Sequence, residues 1–279
     1  MASRLEKNKK YQKQINKEKN KVISKKIIKV LLFLVIIILI FVFYIYFIGI
    51  RFINTKEYVI ESNLIPESFH GFKIVHFSDL LYGNCIDKDN LNDINEEIEL
   101  LNPDIVIFTG DIVGDDYKLQ EEEINILIDF FKNIPCRIGK YAVKGERDNS
   151  TFDLIMNEGN FIVLENEVIS IYNGTIEKID LVGLNINSYQ EVSTSNDFSI
   201  GLIHNYDLYD KYNINTNITL AGHNLGGEIR FFDKPLLGNS IYNNDRYDNV
   251  YISSGLGSPN HVRLMNHPSI NVYRLYSKV

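Results

Sequence analysis

Hydrophobic residues recur along this chain with three different periods. One uninterrupted run, Val30 to Ile50 (VLLFLVIIILIFVFYIYFIGI), holds 21 residues without a charge and is bounded by Lys29 and Arg51. At ~1.5 Å per residue such a run is long enough as a helix to cross ~30 Å of bilayer hydrocarbon. Further on, short apolar runs read as strands: EYVIES (57–62), FKIVHF (72–77), DIVIFTG (104–110), KYAVKG (140–145), DFSIGLIH (197–204) and NITLAGH (217–223). Between them, 88–101 and 119–133 repeat Leu, Ile and Phe at helical spacing with acidic outer positions. The segments VISIYNG, IEKIDLVGL, EIRFF, NVYISSG and SINVYRLY add strands to the later part. One α/β domain with two layers of sheet between helices accommodates this order better than a strictly doubly wound sheet. The predicted organisation is a tail (1–29), a membrane span (30–50), a linker with the first strand (51–70) and a globular domain (71–279).

Charge sharpens the N-terminal part of that picture. Residues 1 to 29 carry eleven Lys or Arg against Glu6 and Glu18, while the whole chain has a net charge of -7, so the remainder is strongly acidic, about -16. A lysine-rich flank beside an apolar span predicts a cytoplasmic N-terminus and an outward-facing domain. No Ala-x-Ala pattern follows the run, which predicts an uncleaved, single-pass anchor in the cell membrane. Tyr44 and Tyr46 stand near one end, where an interfacial belt places them. Topology and anionic lipid explain the basic tail, which lacks aromatic interleaving beyond Tyr11, so the membrane is the expected partner and nucleic acid is not. The acidity of the body argues against a loosely held anionic polymer as substrate. The chain has two cysteines, Cys85 and Cys136; neither has a CxxC or His-linked context, both read as structural, and a bridge between them stays open.

Candidate chemistry gathers at strand ends, where α/β sheets bind ligands. Five ends are polar: HFSDLLYG with Asp79, FTGDIVGD with Asp111, VKGERD with Glu146 and Arg147, LIHNYD with His204, and AGHNLGGE with His223. A single Asp there is most often a helix cap or Asx turn. Carboxylates and imidazoles each following their own apolar strand instead suit Zn, Mn or Fe. His76 lies within a strand and reads as core, whereas His70, His261 and His267 read as surface loop residues, with His261 placed after a Gly-rich turn from which the cleft is in reach.

These blocks resemble the calcineurin-like metallophosphoesterases, in particular their membrane-anchored bacterial branch. That family's pattern runs Asp-x-His, Gly-Asp-x-x-Asp, Gly-Asn-His-Asp/Glu, a lone His, then Gly-His-x-His. SDLLYG matches the first block through Asp79, TGDIVGD the second through Gly110 and Asp111, KGERD the third through Gly145 and Asp148, LIHN the fourth through His204, and AGHNLGGE the fifth through Gly222 and His223. The resemblance covers about residues 57 to 279. It implies a four-layer αββα sandwich of two mixed sheets and a two-metal site.

The departures fall unevenly on the two implied metals. Leu81 stands in place of the first-block His and Leu225 in place of the last His, so the first metal retains only Asp79 and Asp111. The second metal keeps Asp111, His204 and His223, with Glu146 for Asn, so one divalent ion (Mn, Zn or Fe) is expected and the other site is expected to be lost. Asp148, Asn205 and Glu228 are the expected supporting or substrate-binding residues. Arg147 replaces the His thought to assist the leaving group; a guanidinium does not give up its proton near neutral pH. Three places stay open for it: a clamp on phosphate, a counter-charge to Asp79 in the vacated first-metal position, or solvent. The expectation is a degenerate relative binding a phosphorylated or lipid-linked ligand or an unidentified protein partner; the alternative is a hydrolase using one retained metal.

Overall fold

The computed structural model describes residues 2–115, 117–185, 192, 197–212, 214–232, 234–236 and 245–278. The chain divides into two compact units, Met1–Phe47 and Ile48–Val279. In the first, helix α1 (Ala2–Phe43) takes in both the basic tail and the apolar run, and passes into a π-helical turn, Tyr44–Ile48. The helical stretch Glu6–Ile48 is long and apolar enough to cross a membrane.

The second unit contains two six-stranded mixed sheets. The first has the order β1 (Asn54–Ser62), β14 (Ser269–Ser277), β2 (Phe72–Phe77), β3 (Ile105–Phe108), β4 (Gly139–Ala142), β5 (Ile162–Val163). β14 runs parallel to β1 and antiparallel to β2, and β2 through β5 are parallel. The second has the order β12 (Arg246–Tyr247), β13 (Val250–Ile252), β9 (Ile218–Ala221), β8 (Ser199–Leu202), β7 (Lys178–Gly183), β6 (Glu167–Tyr172), with antiparallel outer pairs around a parallel centre. A two-stranded hairpin, β10 (Arg230–Phe231) and β11 (Lys234–Pro235), stands apart.

Strands buried on both faces need apolar residues at every position, with a period of two deciding which layer each one meets. Val75, Phe77, Val106 and Phe108 pack under the helices, whereas Ile74, Ile105 and Ile107 meet Leu181, Ile200 and Leu220 of the second sheet. The helical layer is α2 (Lys88–Leu101), α3 (Glu121–Asn133) and α4 (Ser150–Glu158), which bury Ile94 and Ile98, Leu127 and Phe131, and Phe152 and Ile155. α2 begins with a reciprocal cap between Asp87 and Asn90, and Lys140 closes the other end of α3 by donating to the Phe131 carbonyl at 2.6 Å. Among the described residues, the outer layer on the second sheet is the short helix α5 (Asp207–Tyr212), flanked by buried Tyr206 and Ile214. The result is an αββα sandwich, as the strand order predicts.

Strands predicted from the sequence fall where structure places them, with shorter cores at β3, β4, β8 and β9 because their last residues turn away from the sheet. α4, α5 and the two-residue strands β5, β11 and β12 are elements that the apolar runs alone do not reveal.

Candidate metal centre

The polar strand ends of β2, β3, β4, β8 and β9 come together on one side of the sandwich. Backbone conformation makes this convergence possible: Asp79, Leu81, Asp111, His223 and Leu225 all have φ between 48 and 62°, in the left-handed region. Non-glycine residues rarely adopt it, and runs of it mark functional sites. Close approach is equally necessary. A β-carbon on Gly145 would stand 2.1 Å from Oδ1 of Asp111, so the β4 loop reaches the aspartate only because position 145 has no side chain.

Asp111, His204 and His223 each turn a donor atom toward the others, all within 4.8 Å. His204 is fully buried, and its Nδ1 lies 2.5 Å from the Thr109 carbonyl, an acceptor that fixes the proton there and leaves Nε2 facing Asp111 Oδ2 at 3.1 Å. His223 Nδ1 lies 2.9 Å from Oε2 of Glu146. Neither approach has hydrogen-bond geometry, so both buried ring nitrogens face carboxylate oxygens without a satisfied donor. Imidazole and carboxylate groups arranged in this way suit a divalent cation, and this trio fits one. Burial works against a charged His204, but the Asp111 and Asp79 carboxylates outweigh it and hold the imidazole up at about 9. Burial likewise opposes ionisation of Asp111, and His204 and Arg147 overcome it, keeping Asp111 at about 2.

The predicted supporting residues take distinct places. Glu146 lies outside the trio and is tied to it through His223 and through Asn205, whose Nδ2 donates to Oε1 at 2.6 Å; these two neighbours lower Glu146 to about 2. Asn205 also accepts from the Asp207 amide at 2.9 Å, which starts α5. Asp148 accepts from the backbone amides of Asp111, Ile112 and Gly145 at 2.8–2.9 Å and so locks the β3 and β4 loops together. Desolvation of its carboxyl and the nearby Asp111 push it up to about 6. Glu228 accepts from the Ser258 hydroxyl and the Asn260 side-chain amide, which ties it to the 258–260 turn.

The two leucines of the strand-end turns are apolar and enclosed. Leu81 and Leu225 are buried, and a β-carbon on Gly255 would come 2.4 Å from Leu225 Cδ2 and 3.0 Å from Asp79 Cβ. Asp79 accepts from the Ser78 hydroxyl and, at 3.1 Å, from the His223 amide, while its buried Oδ1 has no partner. Burial, reinforced by Asp111, pushes its carboxyl upward toward the neutral acid.

Arg147 does not neutralise Asp79 and does not point to solvent. Its backbone amide donates to Asp111 Oδ1 at 2.9 Å, Nη1 donates to Asp111 Oδ2, and Nε donates to Asp115 Oδ1 at 2.6 Å. The reason is geometric: Arg147 lies just beyond Gly145 on the β4 loop, which is packed directly on Asp111. A second cation that feels the Asp79 charge, besides His204, is Arg263, fully buried and donating to the Gly257 and Asn266 carbonyls. Sequence reading did not single out Arg263, and no local pattern around it signals burial.

Other expectations are settled by packing. His76 is core, between Tyr273 and Thr109. His70 is exposed, but His267 is half-buried against Phe52 rather than free on the surface. His261 does not reach the cleft; its Nδ1 lies 3.3 Å from Cys85, giving that thiol the histidine neighbour its sequence context did not show. Cys85 and Cys136 are both free thiols.

Residues 72 to 269 match the sequence family described as calcineurin-like phosphoesterase. The chain belongs to that family. Among its relatives, the Bacillus subtilis metallophosphoesterase YkuE is 29% identical over 248 residues, covering 81% of this chain and 86% of its own. A zebrafish (Danio rerio) transmembrane protein with a metallophosphoesterase domain is 27% identical over 115 residues, 41% of this chain and 25% of its own. The UDP-2,3-diacylglucosamine pyrophosphatase LpxG of Chlamydia muridarum is 30% identical over 91 residues, 32% of this chain and 27% of its own. Divalent metals are the working ions of calcineurin-like phosphoesterases, and Asp111, His204 and His223 form a partial ligand group of that kind.

Proposed function

We propose that this calcineurin-like phosphoesterase is a membrane-anchored, extracytoplasmic protein that recognises a phosphate-bearing ligand without hydrolysing it by the two-metal route. The observation that carries this reading is the state of Asp111. In a two-metal site this residue would bridge both ions; here its Oδ2 meets both the Arg147 guanidinium and His204 Nε2, and its Oδ1 accepts from the Arg147 backbone amide. Leu81 and Leu225 supply no ligand atoms to a first metal, and Arg147 cannot act as a general acid.

Recognition follows from what remains. Arg147 borders a cleft of about 650 Å³ together with Tyr117, Lys118 and Glu146. Its planar guanidinium suits a phosphoryl oxygen, and Lys118 adds a second cation at the same wall. Asp111, His204 and His223 would hold a single divalent ion, which when bound supplies positive charge for a phosphoryl oxygen and lowers the pKa of a coordinated water. The lysine-rich start of α1 orients the anchor with its N-terminus in the cytoplasm. A lipid-linked ligand is the class favoured, because the protein is tethered at the membrane and a relative's name specifies a diacylglucosamine pyrophosphate.

A second reading, hydrolysis with one retained metal, is favoured by the unsatisfied ring nitrogens of His204 and His223. One experiment separates the two. The full chain, purified in detergent and equilibrated with Mn or Zn, is analysed for bound metal and for turnover of bis(p-nitrophenyl) phosphate. The recognition reading expects no turnover that titrates with metal. Metal-dependent turnover abolished by His204→Ala establishes the hydrolase instead.

A further inference from the structure

The globular unit begins at Ile48, and the chain there goes directly onto the loop formed by residues 263–268. Gly49 packs on Arg263 so tightly that a β-carbon would stand 2.3 Å from the Arg263 carbonyl oxygen. His267 Nδ1 lies 3.2 Å from the Gly49 carbonyl, the Phe52 and His267 rings meet edge to face at 5.5 Å, and the Asn54 amide donates to Pro268 at 2.8 Å. The apolar run ends in sequence at Ile50, within the segment that makes these contacts.

The same loop carries the β10–β11 hairpin. Leu264 bridges Ile229, accepting from the Arg230 amide at 2.9 Å and donating to Glu228 at 3.0 Å. Arg230 is buried, donating to Gly226 at 2.7 Å and to Asp245 at 2.9 Å, and this fixes the base of the hairpin. The hairpin exposes two aromatic side chains: Phe231 is 59% and Phe232 67% exposed, with their rings 4.8 Å apart. Phe232 also holds a φ of 55°, a backbone conformation unfavourable for a bulky residue, so the exposed ring is kept at the cost of strain. Met265, beside Leu264 on the loop, and Phe52 are exposed too. Exposed apolar side chains gathered on one loop and the hairpin it carries mark a contact surface, and the apolar run that leads the chain into this loop selects the bilayer as its occupant.

We propose that the tip of this hairpin, Phe231 and Phe232, together with Met265 and Phe52, rests in the lipid interface. This inference rests on the anchored reading given above and deepens it. The hairpin follows in sequence from the His223–Gly227 turn, which links the lipid contact to the strand end that carries His223.

The absence of tryptophan from the chain makes this measurable with single reporters. Phe231→Trp, Phe232→Trp, Phe41→Trp within the apolar helix, and Ile176→Trp at a 95% exposed position are each placed in the full chain in phosphatidylcholine vesicles containing brominated phosphatidylcholine. Emission from 231 and 232 is expected to be blue-shifted and strongly quenched by the bromines, as at 41, while 176 remains unquenched. Quenching at 41 without quenching at 231 or 232 overturns the docking alone. No quenching at 41 overturns the anchor, and the docking with it. Unchanged thermal melting of the Phe231 and Phe232 variants shows that the reporters sit on the native fold.

Discussion

Arg147 donates from both its backbone amide and its guanidinium to the carboxylate of Asp111. The same aspartate faces His204, so one buried anion is shared between a permanent cation and an imidazole whose other nitrogen is fixed by a carbonyl. Electrostatic compensation here comes from the polypeptide itself.

Removing the guanidinium leaves Asp111 buried with less counter-charge. Arg147→Ala is expected to lower the stability of the metal-free protein by about 1–3 kcal/mol, the usual cost of stripping a partner from a buried polar group. Added Mn or Zn should recover part of that loss. Thermal melts with and without metal check this, and a variant as stable as the parent in chelator would disprove the compensation.

Metal held by Asp111, His204 and His223 stabilises the folded form by mass action, about 2.7 kcal/mol at a hundredfold excess over Kd. His204→Ala or His223→Ala should abolish the metal-induced rise in Tm, whereas Leu81→Ala should keep it. Equal loss in all three would place the ion elsewhere.

Restoring the missing groups should restore chemistry. Combining Leu81→His, Leu225→His, Glu146→Asn and Arg147→His is expected to raise bound metal from one ion toward two per chain and to produce metal-dependent phosphodiester hydrolysis. Positions 81 and 225 already have the left-handed backbone that the turns require. If the parent chain hydrolyses the substrate as fast as the restored variant, the degenerate reading fails.

Acid stability should report His76. Burial between Tyr273 and Thr109 disfavours its charged form and lowers it to about 3 from an ordinary value near 6.5. Because the unfolded state binds the proton first, this group's contribution is present above about pH 6.5. Below that it is lost at about 1.4 kcal/mol per pH unit until the folded pKa is reached. His76→Gln should flatten that part of the stability profile, measured by denaturant titration between pH 4 and 7.

Much of the fold was legible because most of its strands are short and largely apolar, and because several end in a polar turn, Gly110-Asp111 after β3 and Gly222-His223 after β9 among them. β2 and α2 lie where the pattern puts them, since alternation and helical spacing are local properties. α4 carried a signal that strand-focused reading passes over: Asn149 as N-cap, with Phe152, Ile155 and Met156 on one face. The identity of the donor trio was readable from strand ends, because turning out of a sheet exposes the next polar side chain. Partnerships were not. That Arg147 binds Asp111 and not Asp79, and that Arg263 is wholly buried, depends on which loops touch, and loop contacts leave no periodic trace in sequence.

The sheet order has a consequence for how the chain acquires its structure. β1, the first strand, has β14, the last strand, as its ladder partner, and β14 in turn separates it from β2. During synthesis the first strand must therefore wait, unpaired, for more than two hundred residues until its neighbour exists. Closing so distant a pairing is slow. A nascent chain interrupted before Ser269 would lack two strands of its first sheet rather than one, leaving the β2 edge bare and prone to pair with another molecule. Completion of the final segment is thus the step that commits the domain to its native form.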